Sequence, residues 1–325
     1  MRITVLGAGA WGSTLGKLLV EAGHSVTLCG HEERLAAIRV MGRNERLLPG
    51  IDLPKDLNLE NDPAIALAEA EGSVIAVPSA SFRAAAEPFA DFAGIAVTVT
   101  KGVEHETGLT MGGILAERAP KARIAALSGP SLAIEVARGI PTALVSASPE
   151  EAVARTVQAW FHRPTLRVYT STDLTGVEMG GALKNVVAIA AGVCDGFQFG
   201  DNAKAALITR GLAEMRRLGM ACGAKAETFS GLSGMGDLTV TCFSTLSRNR
   251  SLGEKLALGM ALDEVLSKNT AEGHPTARSA YQLANRLGIS TPIIDQVHAM
   301  LYEGKNAREA IRDLLTRESK AEDQD

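Results

Sequence analysis

The chain has 325 residues, 46% hydrophobic and 22% charged, with a formal net charge of −4, which is long enough for two domains with a core each. Lysine and arginine are dispersed rather than clustered, so neither nucleic acid nor an anionic membrane surface is an expected partner. The four cysteines, Cys29, Cys194, Cys222 and Cys242, lie far apart with no C-x-x-C pair, and the six histidines share no ligand spacing. No disulfide framework and no metal site are therefore expected.

The N-terminus enters a strand directly, without a basic stretch, a long apolar segment or a small-residue cleavage site. This predicts reduced thiols in a cytoplasmic protein. Ile3, Val5 and Leu6 read as a buried strand, followed by Gly7-Ala8-Gly9-Ala10-Trp11-Gly12, a G-x-G-x-x-G pattern. Gly7 permits a tight turn, Gly9 lets backbone N–H groups approach a pyrophosphate, and Gly12 allows close packing of the next helix on the strand. That helix follows at once, with Leu15, Leu18, Leu19 and Ala22 at i, i+3, i+4 and i+7, and Gly23 precedes a second strand over Ser25 to Cys29. A glycine-rich turn that binds nothing has the same three glycines, but the complete β-α-β context favours a dinucleotide cradle.

Further β-branched runs, Val74 to Val77, Ile95 to Thr100, Ile124 to Leu127 and Ala143 to Val145, alternate with amphipathic segments. Pro63 and Pro149 stand where helices would start, behind Asn61-Asp62 and Ser148 as caps. After about Tyr169 the texture becomes helical, with apolar stripes over Ala205 to Leu218, Thr276 to Leu287, Pro292 to Tyr302 and Ala307 to Leu315. The expected fold is α/β: a doubly wound, Rossmann-type sheet over residues 1–176, then an all-α domain over 177–325. The most apolar run, Val186 to Val193, is too short to span a bilayer and reads as a buried helix bracketed by Lys184 and Asp195. The polar end, Arg317 to Asp325, reads as frayed and is given no role.

In the helical half, Lys184 sits among Gly180, Gly181, Val187 and Ala188 on one helical face. Such poor solvation lowers an ammonium's pKa and prepares it for proton exchange, although a lysine snorkelling to water has the same neighbours. Lys101, just after the strand ending at Thr100, can polarise a carbonyl oxygen or simply be solvated. Ser247-Arg248-Asn249-Arg250-Ser251 precedes a helical stretch beginning near Leu252, an arrangement suited to a phosphate monoester and also to a plain capping serine. Gly231 to Leu238 is a glycine-dense turn carrying Asp237, which reads either as a ligand for hydroxyls or a lysine, or as part of a tight helix connection.

From Ile3 to about Leu315 the chain resembles the NAD(P)-dependent glycerol-3-phosphate dehydrogenases of bacteria. The resemblance rests on the glycine loop, Lys101-Gly102, Ser128-Gly129-Pro130-Ser131, Gly181-Ala182-Leu183-Lys184-Asn185, Gly236-Asp237-Leu238 and Ser247-Arg248-Asn249-Arg250. It implies interconversion of dihydroxyacetone phosphate and sn-glycerol 3-phosphate for phospholipid backbones, with Lys184 as the catalytic proton-transfer residue. It further implies substrate contacts from Lys101, Gly129, Ser131, Lys184, Asp237, Ser247, Arg248 and Asn249, with Asn185 and Thr241 as additional ones. By the same resemblance Gly7, Gly9, Ala10, Trp11, Gly12, His31, Lys101, Ala133, Arg248, Thr270 and Glu272 line the NAD or NADP site, and the protein is a homodimer.

Two positions depart from the pattern. Leu28-Cys29-Gly30 lacks the acidic residue that holds an adenosine ribose in NAD-selective sites, and His31 follows it, which fits NADPH as well as NADH. Many relatives carry Ser where Ala10 stands. Rival readings are another hydroxyacid or phosphogluconate-type dehydrogenase, which the Ser247-Arg248-Asn249 block disfavours, and a dinucleotide sensor without turnover.

Overall fold

The structure, a computed structural model, describes residues 1–268, 270–318 and 321. The chain folds as two compact units, one formed by Met1–Thr100 with Thr110–Leu174, the other by Lys101–Leu109 with the chain from Thr175 onward. The sequence division at residue 176 is linear. The short excursion Lys101–Leu109 is instead part of the helical unit, where Val103 joins the apolar core.

The first unit is an eight-stranded sheet made of β1 (Arg2–Leu6), β2 (Ser25–Cys29), β3 (Asn58–Glu60), β4 (Gly72–Ile75), β5 (Ile95–Thr98), β6 (Arg123–Ser128), β7 (Thr142–Ala147) and β8 (Leu166–Ser171). Their spatial order is β3-β2-β1-β4-β5-β6-β7-β8. Neighbours run parallel except β6 and β7. The chain builds outward from β1 to β3 and then crosses back to β4, so the order reverses between β1 and β4, the switch point at which such sheets bind ligands. Connecting helices are α1 (Ala10–Glu21), α2 (Glu32–Met41), α3 (Pro63–Leu67), α4 (Phe82–Ala85), α5 (Met111–Arg118), α6 (Ala133–Ala137) and α7 (Glu151–Phe161).

The sequence reading found six of these strands and passed over β3 and β8. β3 has three residues, none of them buried, and β8 is an edge strand burying only Leu166 and Val168, so neither carries a continuous apolar run. Asp62 caps α3 as expected, accepting from the N–H of Ala64 at 2.8 Å. Pro149 lies two residues ahead of α7, and the Ser148 hydroxyl accepts from Glu150 N–H at 3.2 Å rather than capping the helix.

The second unit contains α8 (Leu174–Gly196), α9 (Gly200–Ala221), α10 (Asp237–Phe243), α11 (Arg248–Ala257), α12 (Leu262–Lys268), α13 (Gly273–Leu287), α14 (Pro292–Tyr302) and α15 (Ala307–Leu315). α8 has the length and apolarity to cross a bilayer, yet 94% of its most apolar 18-residue window is buried inside the protein. It is the axis of a core that includes Leu183, Val187, Ile189, Met215, Leu252 and Ile294. It extends beyond the run Val186 to Val193, and Lys184 and Asp195 both lie inside the helix, where each is paired with a group of opposite charge.

α11 meets α8 almost backbone to backbone. A Cβ on Gly192 would stand 1.9 Å from the carbonyl oxygen of Arg250, and one on Gly253 would stand 1.8 Å from that of Ile189. Neither obstacle is a flexible side chain. Gly253→Ala is expected to lower stability by about 1–3 kcal/mol or more through overpacking. Gly259→Ala, whose added Cβ meets nothing within 4 Å, should cost only the left-handed strain of about 1–2 kcal/mol. Calorimetric thermal midpoints check the ordering, and equal midpoints would contradict the contact.

Candidate functional site

In the first unit, β1 ends at Leu6 and α1 starts at Ala10, so the turn is made within Gly7–Gly9. Gly7 has φ +114°, and a Cβ there would come within 2.5 Å of Ala76 O, while one on Gly12 would lie 1.8 Å from Gly7 O. The loop is folded tightly onto the helix and the end of β4. Gly9 is different: nothing stands within 4 Å of its would-be Cβ, and no side chain caps α1. Open space before a helix N-terminus with free N–H groups fits the pyrophosphate of a dinucleotide, with Ala10 and Trp11 in the first turn.

Asn44, which no sequence pattern singles out, secures this loop. It is buried, and its amide donates to Ala8 O at 3.0 Å and to Ser13 Oγ at 2.9 Å. At the end of β2, a Cβ on Gly30 would meet the Ala8 Cβ at 2.7 Å. An acidic side chain at that position would require the glycine loop to move, which gives the missing carboxylate a steric cause. His31 is exposed at the start of α2, and Arg34 Nη1 lies 3.4 Å from Ala8 O. Ala133 opens α6, where its carbonyl lies 3.3 Å from the Thr14 hydroxyl of α1. Gly129 has φ +131° with a Cβ position 3.2 Å from Leu144 Cα, and Ser131 Oγ donates to Gly129 O at 3.1 Å.

In the second unit, one buried carboxylate gathers two ammonium groups. Asp237, the first residue of α10 and 1% exposed, accepts from Lys184 Nζ at 2.6 Å on Oδ1 and from Lys101 Nζ at 2.5 Å on Oδ2. Lys184 also donates to Thr241 Oγ1 at 2.6 Å, one turn along α10, whose hydroxyl donates to Asp237 O at 2.6 Å. Burial pushes the Lys184 ammonium down from 10.5 to about 8, with Asp237 opposing the shift and Lys101 reinforcing it. Two ammonium groups therefore meet at one carboxylate, an arrangement that can set a cation and a proton donor beside an oxyanion.

Ser247 caps α11, its hydroxyl accepting from Arg250 N–H at 3.2 Å. The helix therefore begins at Arg248 rather than near Leu252, and Arg248 and Asn249 occupy its first turn. Arg248 is steadied by a 3.0 Å bond from Nη1 to Thr270 Oγ1. Asn249 is buried and engaged at both ends: Nδ2 donates to Asn185 Oδ1 at 2.9 Å, and Oδ1 accepts from Gly273 N–H at 2.8 Å. One N–H of that amide remains for a ligand. Glu272, half-buried, directly precedes α13. The second unit thus joins Lys101, Lys184, Asp237 and Thr241 in one cluster and links Asn185, Asn249 and Gly273. The glycine loop, His31, Gly129, Ser131 and Ala133 belong to the first unit.

A switch-point sheet with a glycine loop at a helix N-terminus, together with a helical unit holding a buried lysine of lowered pKa, is the plan of dinucleotide-dependent dehydrogenases. The family model for the N-terminus of NAD-dependent glycerol-3-phosphate dehydrogenase matches residues 2–154, and that for its C-terminus matches residues 173–312. The chain is 49% identical to a glycerol-3-phosphate dehydrogenase [NAD(P)+] of Syntrophotalea carbinolica, with 99% of each covered. It is similar to the crystal structure of glycerol-3-phosphate dehydrogenase from Coxiella burnetii, with TM-score 0.93 and 36% identity, covering 97% of this chain and 99% of that one. The chain belongs to the NAD-dependent glycerol-3-phosphate dehydrogenase family.

Replacing Asp237 by Asn removes the carboxylate paired with the buried Lys184 ammonium and with the half-buried Lys101. Breaking a buried pair in this way costs about 3–5 kcal/mol, and urea unfolding of Asp237→Asn at neutral pH is expected to show a loss of that order. Wild-type stability in the variant would mean that the carboxylate does not hold the cluster.

Proposed function

We propose that the chain interconverts sn-glycerol 3-phosphate and dihydroxyacetone phosphate with NAD(P) as cofactor. The observation that carries this reading is the Lys184–Asp237–Lys101 cluster in a member of this family. A nicotinamide, when bound, supplies the exchangeable hydride. The chain's own work is to hold the ketose, neutralise charge on its C2 oxygen and move one proton.

In the reducing direction Lys184 gives its proton to the developing oxyanion, and in the oxidising direction its neutral amine takes one back. Desolvation makes the ammonium acidic enough for this near neutral pH, while Asp237 keeps it from losing its charge altogether. Lys101 adds a second cation at the same oxygen, and Thr241 fixes the direction of the Lys184 amine. Ser247, Arg248 and Asn249 take the phosphate, aided by the α11 N-terminus, and Gly129 and Ser131 are the residues of the first unit that we assign to the substrate. Binding the phosphate remotely from the reacting carbon positions C2.

The first unit holds the dinucleotide, with the pyrophosphate at Gly7, Gly9, Ala10, Trp11 and Gly12 and further contacts from His31 and Ala133. In the helical unit, Lys101, Arg248, Thr270 and Glu272 are the residues we assign to the dinucleotide. With glycine rather than a carboxylate at position 30, and His31 and Arg34 close by, both NADH and NADPH are accepted. We further assign the protein to the cytoplasm as a homodimer whose product supplies glycerophospholipid backbones.

The first test follows NADH or NADPH absorbance on adding dihydroxyacetone phosphate. Rapid loss is expected with this ketone and little with 2-ketoacids, and the reverse preference would refute the substrate. Lys184→Met should retain cofactor affinity while kcat falls by about 10²-fold or more; an unchanged kcat would remove Lys184 from the chemistry. Because reduction uses the ammonium, present below its pKa, its kcat/KM should fall about tenfold per pH unit above roughly 8, while oxidation rises toward the same pH. Arg248→Ala is expected to raise KM for the phosphorylated ketone at least tenfold, the size of one lost charge-assisted bond, and a wild-type KM would deny it the phosphate.

A further inference from the structure

Outside the cluster that carries the chemistry, the helical unit holds a second concentration of charge. Asp195, eleven residues beyond Lys184 on α8, pairs with Arg250 Nε at 2.5 Å on one carboxylate oxygen and with Lys204 Nζ of α9 on the other. The three side chains are 13%, 10% and 17% exposed for Arg250, Lys204 and Asp195. Arg250 also lies 3.3 Å from Glu254, and the Lys204 ammonium sits 5.1 Å above the ring of Phe243, the last residue of α10. One carboxylate therefore ties together α8, α9 and α11, with the end of α10 packed on its lysine.

Such poorly solvated pairs are weak sources of stability, because desolvation offsets the attraction; what they do supply is a fixed register. Eleven residues are close to three helical turns, so Lys184 and Asp195 share a face of α8 about 16 Å apart. α11 lies against this helix through Gly192 and Gly253. Its residue Asn249 bonds to Asn185 beside Lys184, and the next residue, Arg250, bonds to Asp195. Two adjacent residues of α11 are thus held at points ten residues apart on α8. The first turn of α11 can neither slide nor rotate without breaking one of them.

We propose that Asp195 is a positioning residue for phosphate recognition: through Arg250 it sets where Ser247, Arg248 and the α11 N-terminus stand relative to the Lys184 amine. Asp195 itself touches no ligand. This rests on the proposed function, since it needs the α11 start to be the phosphate grip.

The test compares the phosphorylated ketone with dihydroxyacetone, which has the same reacting carbon and no phosphate. In Asp195→Asn, KM for dihydroxyacetone phosphate should rise at least tenfold with kcat within about twofold, while kcat/KM for dihydroxyacetone stays at its wild-type value. Asp195→Glu should recover most of the loss. Should Asp195→Asn fail to fold by circular dichroism, Arg250→Lys takes its place with the same expected pattern, since it keeps the charge and loses the planar fork. An unchanged KM for the phosphorylated ketone, or equal losses on both ketones, overturns the positioning role. A wild-type chain unable to reduce dihydroxyacetone phosphate at all refutes the proposed function instead.

Discussion

The structure of the helical unit turns on a single shared carboxylate. Asp237 is almost wholly buried, and a carboxylate so placed is tolerable only with compensating charge. It receives two ammonium groups rather than one. The two carboxylate oxygens are divided between them, Oδ1 to Lys184 and Oδ2 to Lys101, so the two cations are held at one point. Burial weakens the hold of Lys184 on its proton while Asp237 opposes that effect, and the balance places the amine near pH 8 rather than at either extreme. A lysine free in water would hold its proton too firmly for exchange near neutrality.

Placing such a cluster at a helix crossing demands close backbones. Gly180 presses against the carbonyl of Ser233, just ahead of Asp237, with a would-be Cβ 2.7 Å away, and Gly192 and Gly253 do the same between α8 and α11. Small residues here are steric requirements that bring α10 and the start of α11 within reach of the face bearing Lys184. The first unit uses glycine in the same way, with Gly12 and Gly30 closing on the loop after β1 while the space beside Gly9 stays open.

Much of this was legible in the sequence where the signal is local. The G-x-G-x-x-G loop lies between a β-branched run and an amphipathic helix, and α14 and α15 have the bounds their apolar stripes give. Lys184 stood out because its helical neighbours are glycine, valine and alanine. The signal fails where burial is one-sided or partners are distant. β8 buries two residues and β3 none, so neither looks like a strand in isolation. The apolar pattern from Leu252 places the α11 start too late, because two arginines and an asparagine hide the first turn, which begins at Arg248. Asn44 beneath the glycine loop and the pairing of Asp195 with Arg250 have no periodic signature, since each depends on residues at least 31 positions away.

The excursion from Lys101 to Leu109 has a consequence for how the protein can be divided. The polypeptide leaves the sheet after Thr100, contributes an ammonium and an apolar anchor to the helical unit, and returns at Thr110 to start α5. A single cut near residue 175 would therefore yield a helical fragment whose Asp237 has one lysine instead of two, and a sheet fragment with a nine-residue loop stripped of its packing. Swapping the C-terminal half with that of a relative would likewise bring together a loop and a carboxylate shaped in different backgrounds. The two halves are bound to change in concert, because the border between them is crossed three times.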